Sequence, residues 1–428
     1  MADRKIAKTT GWKILVRGVT LSPRLSFFSK NSASAHVTLD RRPYQRNFQS
    51  EGFSFFKTCK FAQWRSLIRK RAKSALVVAH KDAPQSAARP DPSRRKTGLL
   101  RMTSKLHHYR KFQPPLSPGA ASWYIENSPA MISRILVSGV SGPIGKALVP
   151  LLHSRGYEVV RLVRGPANGK DQITWHPGQA VSPESVSGFD AVIHLAGETI
   201  FGYWSRSKKA RIRNSRVTGT QNLAQALAEA KNRPRVLVCS SAIGYYGSRG
   251  DEVLNEGSDV GKDFLALVCR DWEAATKPAI DAGIRAAHIR TGVVLSPHGG
   301  ALPKMLTPFK LGLGGRIGDG RQWMSWIDVQ DMVGAILHIL KTDLLQGPVN
   351  MIAPRPVTNA EFTQTLASVL RRPAIFPLPA FVVKTVFGEM GEATLLASQR
   401  VEPARLVGTG YPFAFSDLRA SLTHLLRS

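Results

Sequence analysis

Three glycines, Gly139, Gly142 and Gly145 in SGVSGPIG, have the spacing of a phosphate-binding turn. The first permits a tight turn out of a strand, the second lets the backbone approach a pyrophosphate, and the third lets the next helix pack closely. That helix begins among Ser141 and Ile144 and offers free N–H groups and a positive dipole end to phosphate. About twenty residues on, where an NAD site places an acid for the ribose 2′-hydroxyl, the chain reads EVVRLVRG. Arg161 lies inside this strand and Arg164 at its end, with no acid beside them. An arginine there can pair with a 2′-phosphate, so NADP is the expected cofactor and NAD the lesser one. A second reactive group, Ser240, Ser241, Tyr245 and Tyr246, lies in VCSSAIGYYG. Ser241 can donate a hydrogen bond to a substrate oxygen, and Tyr245 or Tyr246 can supply a phenolic proton. Cys269 could act as an acid or nucleophile if a cation lowered its pKa, although a single cysteine on a helix is more often a packed apolar residue.

These residues need a frame. RILVSGVSGPIGKALVPLLHSRGYEVVRLVRG reads as a branched apolar strand, a glycine turn, an amphipathic helix ending near Gly156 and a second strand. That is a βαβ opening. FDAVIHLAGE is a further strand, running into Leu195, Ala196 and Gly197, and RPRVLVCSSAIGYYG is another. Between them RSKKARIRNSRVTGTQNLAQALAEA has helical spacing. The alternation predicts an α/β fold with a doubly wound parallel sheet, its ligand lying over the carboxyl ends of the strands. His194, at one strand end, is expected to be a satisfied interior histidine rather than a base. LGLGGRIGDGRQWMSWIDVQDM, with two tryptophans, fits either a loop closing over a flat ligand or a packed turn.

The chain carries 60 basic and 29 acidic residues, a formal net charge of +31, in 428 residues that are 43% apolar. Residues 1–130 hold 26 basic and 6 acidic side chains, so +20; residues 131–428 hold 34 and 23, so +11. The first segment shows no sustained periodicity and is expected to be a basic, low-order extension without a packed core. Three readings of it stand: an organelle transit segment, a nucleic-acid arm, or a stretch upstream of a start at Met131. No zinc spacing or RNA-binding signature accompanies the charge, so no specific nucleic-acid partner is expected. The expected partner is a small-molecule substrate, with a homo-oligomer left open. No apolar run long enough to span a membrane occurs. Three cysteines make neither a disulfide framework nor a metal site, and the expected location is the cytoplasm, or a mitochondrion or plastid under the transit reading.

SGVSGPIG, DAVIHLAGE, NSRVTGT and VCSSAIGYYG, in that order, resemble the short-chain dehydrogenase/reductase superfamily in its extended, epimerase-like branch. Further on, GGALPKMLTPFKLGLGG and RRPAIFPLPAFVVKTVFGEM are similar to an atypical subgroup, the SDR39U1-type epimerase-family proteins, which end in a domain of unknown function, DUF1731. The resemblance covers about residues 131–425. It implies a Rossmann core over 131–300 and a smaller α+β substrate lobe over 301–428, partly interleaved with the core and DUF1731-like from about 373. Ordinary members use a serine, a tyrosine and a lysine four residues after the tyrosine. With Glu273 as the acid that ends this helix motif, the tyrosine place falls at Leu265 and the lysine place at Cys269, so the pair is absent. Ser241 matches the upstream serine, Arg216 replaces the usual asparagine, and Thr291 takes a place that borders the nicotinamide. The implied function is an NADP-dependent oxidoreductase or epimerase-like protein acting on a small organic substrate. The alternative is an NADP-binding regulatory or scaffold protein without catalysis.

Overall fold

The computed structural model describes residues 132–427; the basic extension with its three readings, Cys59 and Met131 lie outside the described residues. Seven strands form one parallel sheet: β1 (Arg134–Ser138), β2 (Glu158–Val163), β3 (Gln172–Thr174), β4 (Ala191–His194), β5 (Val236–Ala242), β6 (Arg285–Thr291) and β7 (Gly347–Met351). Their order is β7-β6-β5-β4-β1-β2-β3, the expected doubly wound arrangement. The helices that matter below are α1 (Pro143–Ser154), α2 (Arg206–Glu229), α3 (Phe264–Ala274), α4 (Leu302–Lys310), α5 (Val329–Lys341), α6 (Asn359–Leu370) and α7 (Ala380–Met390).

The strands read as unbroken apolar runs because helices cover both faces of the sheet. Ile135, Val137, Ile193, Val238 and Ile289 pack with Leu148 and Leu152 of α1 and Met332 and Ile336 of α5. On the other face Leu136, Val192, Leu237 and Cys239 meet Leu223 and Leu227 of α2 and Trp272 of α3. Strand order reverses between β1 and β4, where Ser138 sits beside His194. A crevice therefore opens above the carboxyl ends of these two strands.

The remaining lobe has its own core of Leu302, Leu306, Phe309, Trp326, Phe362 and Leu366. It rests on short pairings, Val293–Leu295 with Trp326–Asp328 and Trp323–Met324 with Val357–Thr358. Trp326 is fully buried and Trp323 carries the Arg400 guanidinium 4.5 Å over its ring, so the two tryptophans of the glycine-rich segment act as packing residues. Lobe and sheet interleave, since β7 comes from beyond residue 301 and the side chain of Gln399 donates to the carbonyls of Ile243 and Gly247, both at 3.1 Å.

Candidate active site

β1 ends in a turn that only glycine can make. Gly139 has φ +73, and a Cβ there would lie 2.6 Å from the Leu195 carbonyl carbon. At Gly145 a Cβ would lie 2.5 Å from the Gly139 oxygen, so α1 could not sit so close to the turn. Gly142 differs. A Cβ there would meet the Gly139 oxygen at 3.3 Å, with no other heavy atom within 4 Å. The fold does not demand this glycine, and the room above it suits a ligand that must touch backbone. Gly142 caps α1 in extended conformation without a side-chain bond, Pro143 follows, and the first turn holds no acid. The helix thus begins with unclaimed N–H groups beside an open space, the donor set a pyrophosphate requires. Ser141 is exposed on the same turn, Ile144 is half-buried, and Gly299 and Gly300 approach Pro143.

At the end of β2 the two arginines separate. Arg161 pairs with Asp171, which immediately precedes β3. Arg164 is exposed, makes no ion pair within the described residues, and acts electrostatically on Glu198, which follows β4. Of the two, Arg164 alone retains its charge for a ligand at the crevice.

β4 delivers Leu195, Ala196 and Gly197 to the crevice floor, tied to β1 by the Leu195 N–H, which donates to the Ser138 hydroxyl at 3.2 Å. Beneath them His194 is 0% exposed, and burial pushes its pKa down to about 4, so the ring is neutral. Its Nδ1 is 2.7 Å from Ser138 Oγ, but among the described residues Nε2 has no partner, nor has the buried Trp175 Nε1, whose ring lies edge-on at 5.5 Å between centroids. The expected interior histidine is therefore only half satisfied. From α2, the Arg216 guanidinium reaches the underside of this floor, 3.3 Å from where a Gly197 Cβ would stand.

β5 carries the serines, and Ser241 sits within a buried polar network. Ser241 is 4% exposed and its hydroxyl donates to Glu273 Oε1 at 2.6 Å. Glu273 is gripped in turn by Arg290 of β6, Nε at 2.8 Å and Nη2 at 2.9 Å. Burial works against the Arg290 charge, yet the Glu273 carboxylate outweighs it and holds the guanidinium above its ordinary pKa. Ser241 adds its hydroxyl to this buried ion pair. Tyr245 lies face-on over Arg290, 3.5 Å from ring centroid to guanidinium carbon, and so covers that pair. Tyr246 is fully buried, and its hydroxyl donates to Asn350 at 2.7 Å. Ser240 is buried beside them, and the Thr291 hydroxyl donates to the Ile289 carbonyl at 3.1 Å.

Cys269 sits among apolar neighbours, in keeping with a packed residue. It is 4% exposed, and burial pushes its thiol up to about 12, too high for a thiolate near neutral pH. It packs with Leu265 against Gly244: a Cβ on that glycine would be 3.5 Å from Leu265 Cβ and 3.9 Å from Cys269 Sγ. Leu265 also joins an apolar cluster with Trp204, Ile200, Phe264 and Phe387 of α7. Leu265 thus presents a hydrocarbon here and Cys269 a neutral thiol.

Arg290 and its partnership with Glu273 have no place in the sequence reading. The signal was available, because an arginine inside the apolar strand RAAHIRT must find a buried acid. The ion pair of Glu198 with Lys208 at 2.6 Å was also missed.

A family profile for the NAD dependent epimerase/dehydratase family matches residues 135–351, from β1 to β7. The chain belongs to the NAD-dependent epimerase/dehydratase family. A second profile, a domain of unknown function (DUF1731), matches residues 378–425 of this epimerase-family chain. Human epimerase family protein SDR39U1 is 39% identical over 297 residues, which cover 68% of this chain and 99% of that protein. The Arabidopsis thaliana protein named SDR39U1 homolog, chloroplastic, is 36% identical over 321 residues, 72% of this chain and 92% of that one. The crystal structure of human SDR39U1 (isoform 2) with NADPH matches this family member with a TM-score of 0.64 at 38% identity, covering 69% of this chain and 99% of that one. MoeE5 in complex with UDP-glucuronic acid and NAD, at 20% identity and a TM-score of 0.57, shares the fold. No helix among the described residues is long and apolar enough to cross a membrane.

Proposed function

We propose that this epimerase-family protein binds NADP(H) across β1 and β4 and exchanges a hydride between it and a small organic substrate. Gly142 carries the reading. Its neighbours Gly139 and Gly145 are required by backbone contact, whereas the space above Gly142 is clear and faces unclaimed N–H groups. Arg164, exposed and without an ion pair among the described residues, is positioned to take a 2′-phosphate, which favours NADP over NAD. The crystallisation of human SDR39U1 with NADPH supports the same choice. The nicotinamide half is assigned to the floor formed by Ala196 and Gly197, near Thr291, with residues 131–300 forming the cofactor core and 301–428 the substrate lobe. Bound cofactor supplies the hydride. The protein orients the substrate against the apolar wall of Leu265, Trp204 and Phe387 and excludes bulk water there. Without a tyrosine–lysine pair, and with Ser241, Tyr246 and Cys269 all engaged, the proton comes from water admitted with the substrate.

That same engagement favours a second reading, a cofactor-binding scaffold without turnover. Calorimetric titration with NADPH and NADH, followed by an NADPH-consumption screen over carbonyl compounds and activated alkenes, separates the two. Binding with turnover supports the enzyme, binding without turnover of any compound supports the scaffold, and failure of both nucleotides to bind sinks both. For location, a fluorescent fusion of residues 1–130 that stays diffuse supports the cytoplasm. Import into plastids, as the name of the Arabidopsis relative has it for that protein, or into mitochondria would replace that reading.

A further inference from the structure

Arg216 is a cation in the wrong surroundings. It is half-buried on α2, and burial depresses its pKa, opposed by the Glu198 carboxylate. Nη1 donates to the carbonyls of Glu198 at 2.9 Å and Ile212 at 3.2 Å, and the guanidinium lies 5.0 Å over the Trp272 ring. Those are neutral partners. Within the described residues no carboxylate pairs with it. Glu198, the acid that acts on it, is held by Lys208 at 2.6 Å and also faces Arg211 at 3.9 Å. A desolvated charge left without a counter-ion costs free energy, so it persists where something else gains from it. What lies directly above is Gly197, whose missing side chain leaves the Arg216 Cζ and Nη2 3.3 Å from the place of a Cβ. The charge thus faces the crevice floor through a gap in it.

Phosphates are common to both redox forms of the cofactor, so an attraction to phosphate does not tell them apart. The nicotinamide does, because it is neutral when reduced and carries one positive charge when oxidised. We propose that Arg216 acts as a charge filter under the nicotinamide half of the crevice, selecting NADPH over NADP+ and so setting the protein to reduce its substrate and then release the oxidised cofactor. This rests on the cofactor reading above and adds the direction of the reaction. In that direction a hydride carries two electrons from the reduced ring to an electrophilic carbon of the substrate. The displaced bonding pair moves to the substrate oxygen, which takes a proton from water. The guanidinium also favours the oxygen as it becomes negative. Arg216 acts from α2, whereas the corresponding lysine place on α3 is occupied by Cys269.

Separate titrations of the full chain with NADPH, NADP+ and 2′,5′-ADP, which lacks the nicotinamide, test this. A unit charge this near the crevice floor at intermediate dielectric predicts that NADPH binds roughly ten- to a hundredfold tighter than NADP+. R216K should keep most of that ratio, and R216Q should bring it to within about threefold of unity by strengthening NADP+ binding relative to NADPH. Affinity for 2′,5′-ADP should stay the same in all three proteins. R216M, which retains the aliphatic stem over Trp272, serves in the same way if R216Q does not fold. A wild-type ratio of one or less overturns the proposal, as does an R216Q or R216M ratio equal to the wild type. If wild type binds 2′,5′-ADP but shows no preference between redox forms, the filter fails and the cofactor site stands; if none of the three nucleotides binds, the site itself is wrong.

Discussion

Replacing Ser241 with alanine should cost stability, and its size can be worked from the contacts. The hydroxyl gives Glu273 a bond of 2.6 Å in a buried setting, and hydrogen bonds to charged groups contribute about 1.5 to 3 kcal/mol. Two bonds from Arg290 remain, so the carboxylate is weakened but not orphaned. The expected loss is therefore about 2 kcal/mol, which lowers the melting temperature by roughly 4 °C in a domain of this size. In urea the midpoint should fall with the slope unchanged, since no additional surface is exposed. Glu273→Gln should be worse, by about 3 to 5 kcal/mol, because it leaves the Arg290 charge buried without its acid. Adding Ser241→Ala to Glu273→Gln should then cost less than the serine substitution alone, since the two act on one network. NADPH affinity should hardly change in Ser241→Ala. The opposite pattern refutes this: stability within about 0.5 kcal/mol of wild type and turnover lowered a hundredfold or more, the signature of an oxyanion donor.

Gly142→Ala should melt like the parent and lose at least about tenfold in NADPH affinity, whereas Gly139→Ala, with a Cβ forced to 2.6 Å from backbone, should fold poorly; calorimetry and thermal melts distinguish them. Arg164→Asp should reduce the preference for NADPH over NADH by roughly ten- to a hundredfold, and equal affinities in the unmutated protein would remove the basis for assigning the 2′-phosphate to it. His194 has a folded pKa of about 4 against 6.5 for the free side chain, so protonation favours the unfolded chain and stability present above pH 6.5 is lost as pH falls. Between pH 6.5 and 5.5 the loss from this group is about 1 kcal/mol, and His194→Leu should flatten that part of a stability–pH curve, leaving the slope from His288 and His338, whose pKa values are also lowered by burial.

What the sequence disclosed and what it hid follow the range of the interactions. The strand, turn and helix around Gly139 were legible because local spacing determines them, and the parallel sheet followed from uninterrupted apolar runs such as that of β4. The fate of Ser241 was not legible. Its type and place at a strand end suited a substrate donor, but its partner lies 32 residues away on α3 and the arginine behind that partner lies on β6. Cys269 was ambiguous for a related reason. A thiol is reactive or inert according to its desolvation, which depends on Leu265, Gly244 and Arg216 assembling from three elements. Arg161 and Arg164, three residues apart, looked equivalent until a strand pairing gave one of them to Asp171. The arginine of greatest interest, Arg216, could be numbered from the resemblance, yet nothing in the sequence signalled that its charge would lack a counter-ion.

Gln399 fastens the turn after β5, the buried Glu256 accepts the N–H groups of Asn350 and Arg405, and the buried Asp331 accepts those of Ala414 and Phe415. In the order of synthesis, each acceptor is made well before its donors. A nascent chain that has already produced the glycine turn, β1 to β6 and α5 still holds two carboxylates whose final partners have not left the ribosome. Burial of those acids must wait, and so must the floor that the cofactor would rest on. The nucleotide consequently cannot act as an early folding template, and a message truncated shortly before codon 399 should yield a chain that contains every residue assigned here to the cofactor and still fails to bind it.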